Sequence, residues 1–325
     1  MDTIEINVFA KSGDQPWLFD DLKIHFGNLH LPGIRIVTSE TCIDTADAWI
    51  AIRTAEAAYT PDPSRTVACI HDLYDHDGMY DPGGLRSIIH SVKGLVLCHP
   101  DQQNILQKAA VDFSKKEIVQ RPIGALSDFR PGDIFSDKFT IGWVGRNYWR
   151  KRIEWFIEAI EGLEIPKDQF RIMLMGMDIE EPADKLRSMG YECSGYPKNQ
   201  YPIATYPDLY RKMSCLVVTG VTEAGPLTLF ESLATGNPVI ATKVGWAPLL
   251  SSAHKEAIVL VENPQEISTA LHEVYDRRND LFQQRFVISD IVNHWTLEKW
   301  VREVILLAAS LAPQKTMENI ELIDL

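Results

Sequence analysis

Along the whole chain, short unbroken apolar runs alternate with longer stretches in which apolar residues recur every three to four positions. The short runs cover 4–10, 34–38, 48–53, 66–71, 94–98 and 118–121 in a first set, and 139–145, 170–176, 191–196, 214–219, 238–242 and 257–261 in a second. Most are continuous and rich in Val and Ile. A strand with one wet face would alternate; an unbroken run fits a strand covered on both faces, as in a parallel sheet. The intervening stretches carry the helical spacing: Ile153, Phe156, Ile157 and Ile160; Ile267, Ala270, Leu271 and Val274; Leu297, Trp300, Val301 and Val304. Helices alternating with such strands imply βαβ crossovers and an α/β fold. These apolar positions are read as core.

A chain of 325 residues is long enough for two domains. The stretch 127–138 is polar and turn-rich, carries Pro131 and Gly132, and separates the two strand sets, so it reads as a linker. The expected domains are 1–132 and 133–325. The polar tail 313–325 is read as a strap that packs back on the N-terminal domain or as a loose end. No apolar run approaches the roughly 20 residues of a membrane span. The acidic opening, residues 1–5, is unlike a signal or transit peptide. Together these point to a cytoplasmic protein without a transmembrane segment, for which peripheral membrane contact stays open. A net charge of −13 disfavours nucleic acid as a partner. Cysteines 42, 69, 98, 193 and 215 form no Cys-x-x-Cys pair and read as reduced, mostly buried thiols rather than a zinc site.

Against the acidic background a basic cluster stands out. Gly145, Arg146, Asn147, Tyr148, Trp149, Arg150, Lys151 and Arg152 join the strand 139–145 to the helical run that starts at Ile153. A strand-to-helix turn at the carboxyl edge of a parallel sheet is where such folds bind ligands. Cations beside a helix N-terminus oppose its dipole, so they serve an anion better than they serve the helix. A second signal follows the run 214–219. Glu223, Ala224, Gly225, Pro226 and Leu227 lead into a helix that carries Glu231. Gly225 permits close backbone approach, and Pro226 suits the first position of the helix. A carboxylate at 231, about a turn and a half inside, can accept the hydroxyls of a ribose.

At these residues the sequence resembles the retaining GT-B glycosyltransferases of family 4, the glycosyl transferases group 1. Their Gly-Arg-x4-Lys element appears as Gly145, Arg146 and Lys151, and their Glu-x7-Glu element as Glu223 and Glu231. The run from Gly236 through Pro238, Val239, Ile240, Ala241 and Thr242 to Gly245 matches a third family motif. The resemblance covers about 139–300, with weaker echoes at His71-Asp72 and at Arg121-Pro122-Ile123-Gly124-Ala125. It implies two Rossmann-like domains with mainly parallel sheets facing across a cleft, the first for the acceptor and the second for a nucleotide sugar. It implies transfer of a sugar from a nucleoside diphosphate, UDP or GDP, to an acceptor hydroxyl with retention of anomeric configuration. The acceptor would be a carbohydrate, a lipid-linked sugar or a small molecule.

By the same resemblance Arg146 and Lys151 would hold the pyrophosphate, Glu231 the ribose and Glu223 the sugar hydroxyls. Gly145, Gly225, Pro226 and Leu227 would line the phosphates and sugar, and the Gly195-Tyr196 turn would seat the base. His71 would stand beside the reacting carbon. Gly13 alone replaces the glycine pair of the first loop, and Arg152 stands where the family often has glycine. No permanent cofactor is implied. Asp75 and Asp77, near His71 and His76, resemble the metal-binding Asp-x-Asp of the other large glycosyltransferase fold, yet the segment has loop composition and no metal is assigned. His90 and His99 are read as surface residues, and Trp246, Trp295 and Trp300 as packing. A sugar-nucleotide epimerase and a catalytically silent sugar-nucleotide-binding subunit are the rival readings.

Overall fold

The computed structural model describes residues 3–11, 18–71, 82–133 and 137–313. Each expected run forms a strand. The first set gives β1 (Ile4–Phe9), β2 (Ile34–Ser39), β3 (Ala48–Ala51), β4 (Thr66–Ile70), β5 (Gly94–Leu97) and β6 (Glu117–Gln120). The second gives β7 (Phe139–Arg146), β8 (Phe170–Met177), β9 (Cys193–Pro197), β10 (Cys215–Val218), β11 (Val239–Thr242) and β12 (Ile258–Val261). They build two six-stranded sheets, ordered β2-β1-β3-β4-β5-β6 and β12-β11-β10-β7-β8-β9. Every pairing within them is parallel. The fold is therefore α/β with two parallel sheets. The central strands β3, β4, β5, β10 and β11 are buried at every position, which is why their sequences do not alternate.

The chain divides into two compact units. One gathers the chain up to Pro122 with the segment from Glu298, and the other is Ile123–Leu297. The stretch 127–138 gives Phe129 to the core of the second unit. Where the chain enters and leaves that unit, Ala125 and Thr296 form a parallel bridge, and Leu297 donates its N–H to the Ala125 carbonyl at 2.9 Å.

The amphipathic stretches are helices on the expected faces. Ile153–Glu161 buries Ile153, Phe156, Ile157 and Ile160, and Pro264–Asp276 buries Ile267, Ala270, Leu271 and Val274. Asn263 caps the latter by accepting the Glu266 N–H. The helix Leu297–Leu311 buries Trp300, Val304 and Ile305 and belongs from Glu298 onward to the first unit, where Trp300 meets the Phe26 ring edge-on at 5.8 Å. Trp246 is buried, and Trp295 packs on the same core beside it. All five cysteines are free thiols, three of them buried. No helix among the described residues is long and apolar enough to cross a membrane.

Candidate active site

In the second sheet the strand order reverses between β7 and β10, so their carboxyl ends lie side by side at a switch point. The turn after β7 carries the basic cluster and the loop after β10 carries Glu223, so the topology brings both signals to one place. Lys151 Nζ stands 2.5 Å from Glu223 Oε1, an ion pair between two half-buried side chains. Arg146, at the end of β7, reaches Asp178 beyond β8 at 3.2 Å and is half-buried.

Backbone and side-chain bonds lock the two loops together. The Trp143 indole donates to Thr219 Oγ1 at 3.0 Å, and the Thr219 hydroxyl donates to the Lys151 carbonyl at 2.5 Å. The Val221 N–H donates to the Arg150 carbonyl at 2.8 Å. Arg152 donates to the carbonyls of Thr219 and Gly220, both at 2.9 Å, and its guanidinium lies over the Trp155 ring. Arg152 is in the left-handed region, φ 46 and ψ 53. That conformation favours glycine, and here the three side-chain contacts offset its cost. Of the four cations in the cluster, Arg152 is thus a brace for the loop. Arg150 donates to the Tyr148 hydroxyl at 2.7 Å.

The helix that follows Glu223 runs Leu227–Ala234. Pro226 is its cap rather than its first turn, because ψ 107 keeps that residue extended while its ring still sets a compatible φ. No side chain caps this helix or Ile153–Glu161, so their first N–H groups remain available to an anion. Gly245 backs the loop: at φ +53, a Cβ there would stand 2.6 Å from the Pro226 ring.

Glu231 is 4% exposed. The Tyr210 hydroxyl donates to its Oε2 at 2.6 Å. Burial pushes the carboxyl up to about 7, against the downward pull of the Tyr210 hydrogen bond and the Lys198 charge. Tyr210 in turn is held well above the ordinary phenol range by burial and by that carboxylate.

Gly195 and Tyr196 lie inside β9, not in a turn as expected. The parallel pairing with β8 runs on to Pro197, opposite Gly176, so the chain turns only afterwards. Tyr196 meets Tyr201 edge-on at 5.0 Å across that turn. Lys198, the first residue of the turn, is the one whose charge reaches Glu231.

His71 follows β4 in the first unit, with Nδ1 3.6 Å from Cys98 Sγ and its ring 6.1 Å from that of Trp300. Gly13, Asp75, His76 and Asp77 lie outside the described residues. Sequence reasoning missed Tyr210, Lys198, Thr219 and Asp178. Nothing local to these residues marks them, since each matters through a partner brought near by the sheet.

The second unit also matches a known family. Residues 138–277 fit the model of the glycosyl transferases group 1. No curated protein matches the chain. Among solved structures, sucrose-phosphate synthase from Thermosynechococcus elongatus superposes with a TM-score of 0.73 at 15% identity, over 95% of this chain and 99% of that one. Anabaena HepE in complex with UDP-glucose gives 0.70 at 14%, over 94% and 100%. WaaG, a glycosyltransferase involved in lipopolysaccharide biosynthesis, gives 0.64 at 13%, over 94% and 99%. These likenesses show the fold: the chain has the GT-B architecture of two parallel-sheet units.

Proposed function

We propose that this protein transfers a sugar from a nucleoside diphosphate sugar to an acceptor hydroxyl with retention at the anomeric carbon. The observation that carries the reading is the Lys151–Glu223 contact at the switch point of the second sheet, beside two helix N-termini with no side-chain cap. A cation, two sets of N–H groups and a carboxylate are what a diphosphate and a polyhydroxyl sugar require of one site. The family match over 138–277 and the complex of HepE with UDP-glucose support a nucleotide sugar, with UDP as the first donor to test.

In this reading the bond from the anomeric carbon to the diphosphate breaks as the acceptor oxygen bonds to that carbon from the same face. The acceptor proton passes to the departing phosphate oxygen. Charge grows on that oxygen, and Arg146 and Lys151 stabilise it from fixed positions, worth a few kcal/mol each. Arg146 offers two prongs and Lys151 a point charge. Glu223 orients sugar hydroxyls and pairs with Lys151. Glu231 accepts ribose hydroxyls. Residues 1–132 bind the acceptor and bring His71 beside the reacting carbon, and 133–325 bind the donor. The chemistry takes place in the cytoplasm and without a metal.

The test is incubation of the pure protein with UDP-, GDP- and ADP-sugars. Slow release of the nucleoside diphosphate, with the freed sugar retaining its configuration by NMR, is expected. Epimer formation, or binding without turnover in the presence of oligosaccharide and glycolipid acceptors, would replace the reading. In Lys151→Ala the affinity for the free diphosphate should fall about tenfold or more, and an unchanged affinity would remove Lys151 from the phosphate site.

A further inference from the structure

We propose that Tyr210 is a positioning residue for nucleotide binding, whose hydroxyl fixes the buried Glu231 carboxylate by Oε2 and leaves Oε1 for the vicinal hydroxyls of the donor ribose. The proposal rests on the reading of Glu231 as the ribose ligand.

Glu231 sits on the fifth residue of the helix Leu227–Ala234, and Tyr210 ends the helix Tyr206–Tyr210. Both side chains are buried, and the 2.6 Å bond between them joins the two helices. A second set of bonds ties the same helices together from the other end. Asn237 Nδ2 donates to the Tyr210 carbonyl at 2.7 Å and to Thr235 Oγ1 at 3.2 Å, and the Thr235 hydroxyl donates to the Glu231 carbonyl at 3.0 Å. The Tyr210 ring is also wedged edge-on against Phe129 at 5.4 Å. These contacts hold the phenol against the carboxylate and fix Oε2 as the oxygen it engages.

The bond also decides what Glu231 can accept. A buried carboxyl with no donor favours its neutral form, and a neutral carboxyl is a poor partner for two hydroxyls. A hydrogen bond given to the ionised form restores that form. Lys198, from the turn after β9, adds its charge from another element. Burial, the Glu231 carboxylate and, least, Tyr206 on the same helix hold the Tyr210 phenol up, so Tyr210 remains a donor. One oxygen engaged inside the protein leaves the other, with two lone pairs, for a diol.

Tyr210→Phe isolates the hydroxyl, since the ring still packs on Phe129. The first arm needs no ligand. An acid raised in the folded state binds more protons folded than unfolded, so stability falls as pH rises from the ordinary glutamate value to about 7. The midpoint of thermal unfolding should follow that fall in the wild type, carry it to higher pH in Tyr210→Phe, and lose it in Glu231→Gln. The second arm measures binding by calorimetry, with UDP, or GDP where it binds tighter, and its 2′-deoxy analogue. Tyr210→Phe should weaken the ribonucleotide about tenfold and shrink its advantage over the deoxy analogue. UDP-glucose, whose diphosphate stays ionised between about pH 6 and pH 8, should regain affinity in this variant as pH rises.

Wild-type affinity and deoxy discrimination in Tyr210→Phe, with Glu231→Gln weakened, would overturn the proposal and leave Glu231 as the ribose ligand. Unchanged binding in Glu231→Gln would instead remove the reading of Glu231 itself. Should Tyr210→Phe fail to fold, the double variant with Glu231→Gln carries no buried charge and keeps the question open to measurement. It should bind as Glu231→Gln alone does, and a further tenfold loss would overturn the proposal.

Discussion

Lys151 and Glu223 pose a competition at the scale of single residues. Their 2.5 Å contact occupies the cation that the diphosphate would use. A bound diphosphate must draw Lys151 away from Glu223 or share it, and Glu223 is then free to turn to the sugar. Glu223→Gln should therefore leave affinity for the free nucleoside diphosphate unchanged or raise it a few-fold, while turnover of the sugar nucleotide falls roughly 10- to 100-fold. Calorimetry with the bare nucleotide, set beside turnover of the sugar nucleotide, measures both. Equal losses in the two experiments would mean that Glu223 serves the phosphates instead. These two residues were legible in the sequence because their spacing from neighbouring glycines and strands is itself the signal. Tyr210 was not legible. It lies in a short helix of ordinary composition, and only the fold carries its hydroxyl to Glu231.

At the scale of elements, the site is two loops held in register by a few backbone-directed bonds. Arg152 and Thr219 tie the turn after β7 to the end of β10, and Gly245, beyond β11, supports the loop at Pro226. Gly245→Ala puts a side chain into a left-handed position and against the proline ring, so the loop has to shift. The expected result is a loss of about 1 kcal/mol or more in unfolding free energy together with weaker nucleoside diphosphate binding. Chemical unfolding and calorimetry on one preparation would check this, and a stable variant with normal affinity would show that the loop yields without consequence. Gly124, at φ +78 with the Trp295 carbonyl 2.2 Å from where a Cβ would sit, makes a control away from the site. Gly124→Ala should lose stability as well, yet keep its affinity below the unfolding transition. The sequence singled out these loops as chemistry-bearing, and the structure differs from that reading in two details. Tyr196 is a strand residue because it pairs with Met175 of β8 and the ladder continues to Pro197, and Arg152 is a brace because a left-handed turn holds it against β10.

At the scale of the molecule, strand order was the part of the fold that amino-acid pattern could not supply. Runs of Val and Ile reveal strands buried on both faces but carry no record of neighbours, and it is the order β10-β7-β8 that makes one site of two distant motifs. Nor do the apolar positions of the helix Leu297–Leu311 say which unit it joins; they have the same period as those of Pro264–Asp276, which stays in the second unit. The division into units bears directly on metal dependence. Both cations expected to hold the diphosphate, and both glutamates expected to hold the ribose and sugar, are in Ile123–Leu297. Asp75 and Asp77, the residues of metal-ligand spacing, belong to the stretch before Pro122 and lie outside the described residues. A divalent ion bridging the phosphates would duplicate the work of Arg146 and Lys151, and two cations together with two helix N-termini already match the charge of a diphosphate. Sugar transfer, or hydrolysis of the sugar nucleotide in its place, should therefore persist in excess EDTA, and Asp77→Ala should cost far less turnover than Lys151→Ala. Activity that stops with chelator and returns with Mn²⁺ would transfer the phosphate charge to a metal and leave the basic turn a different task.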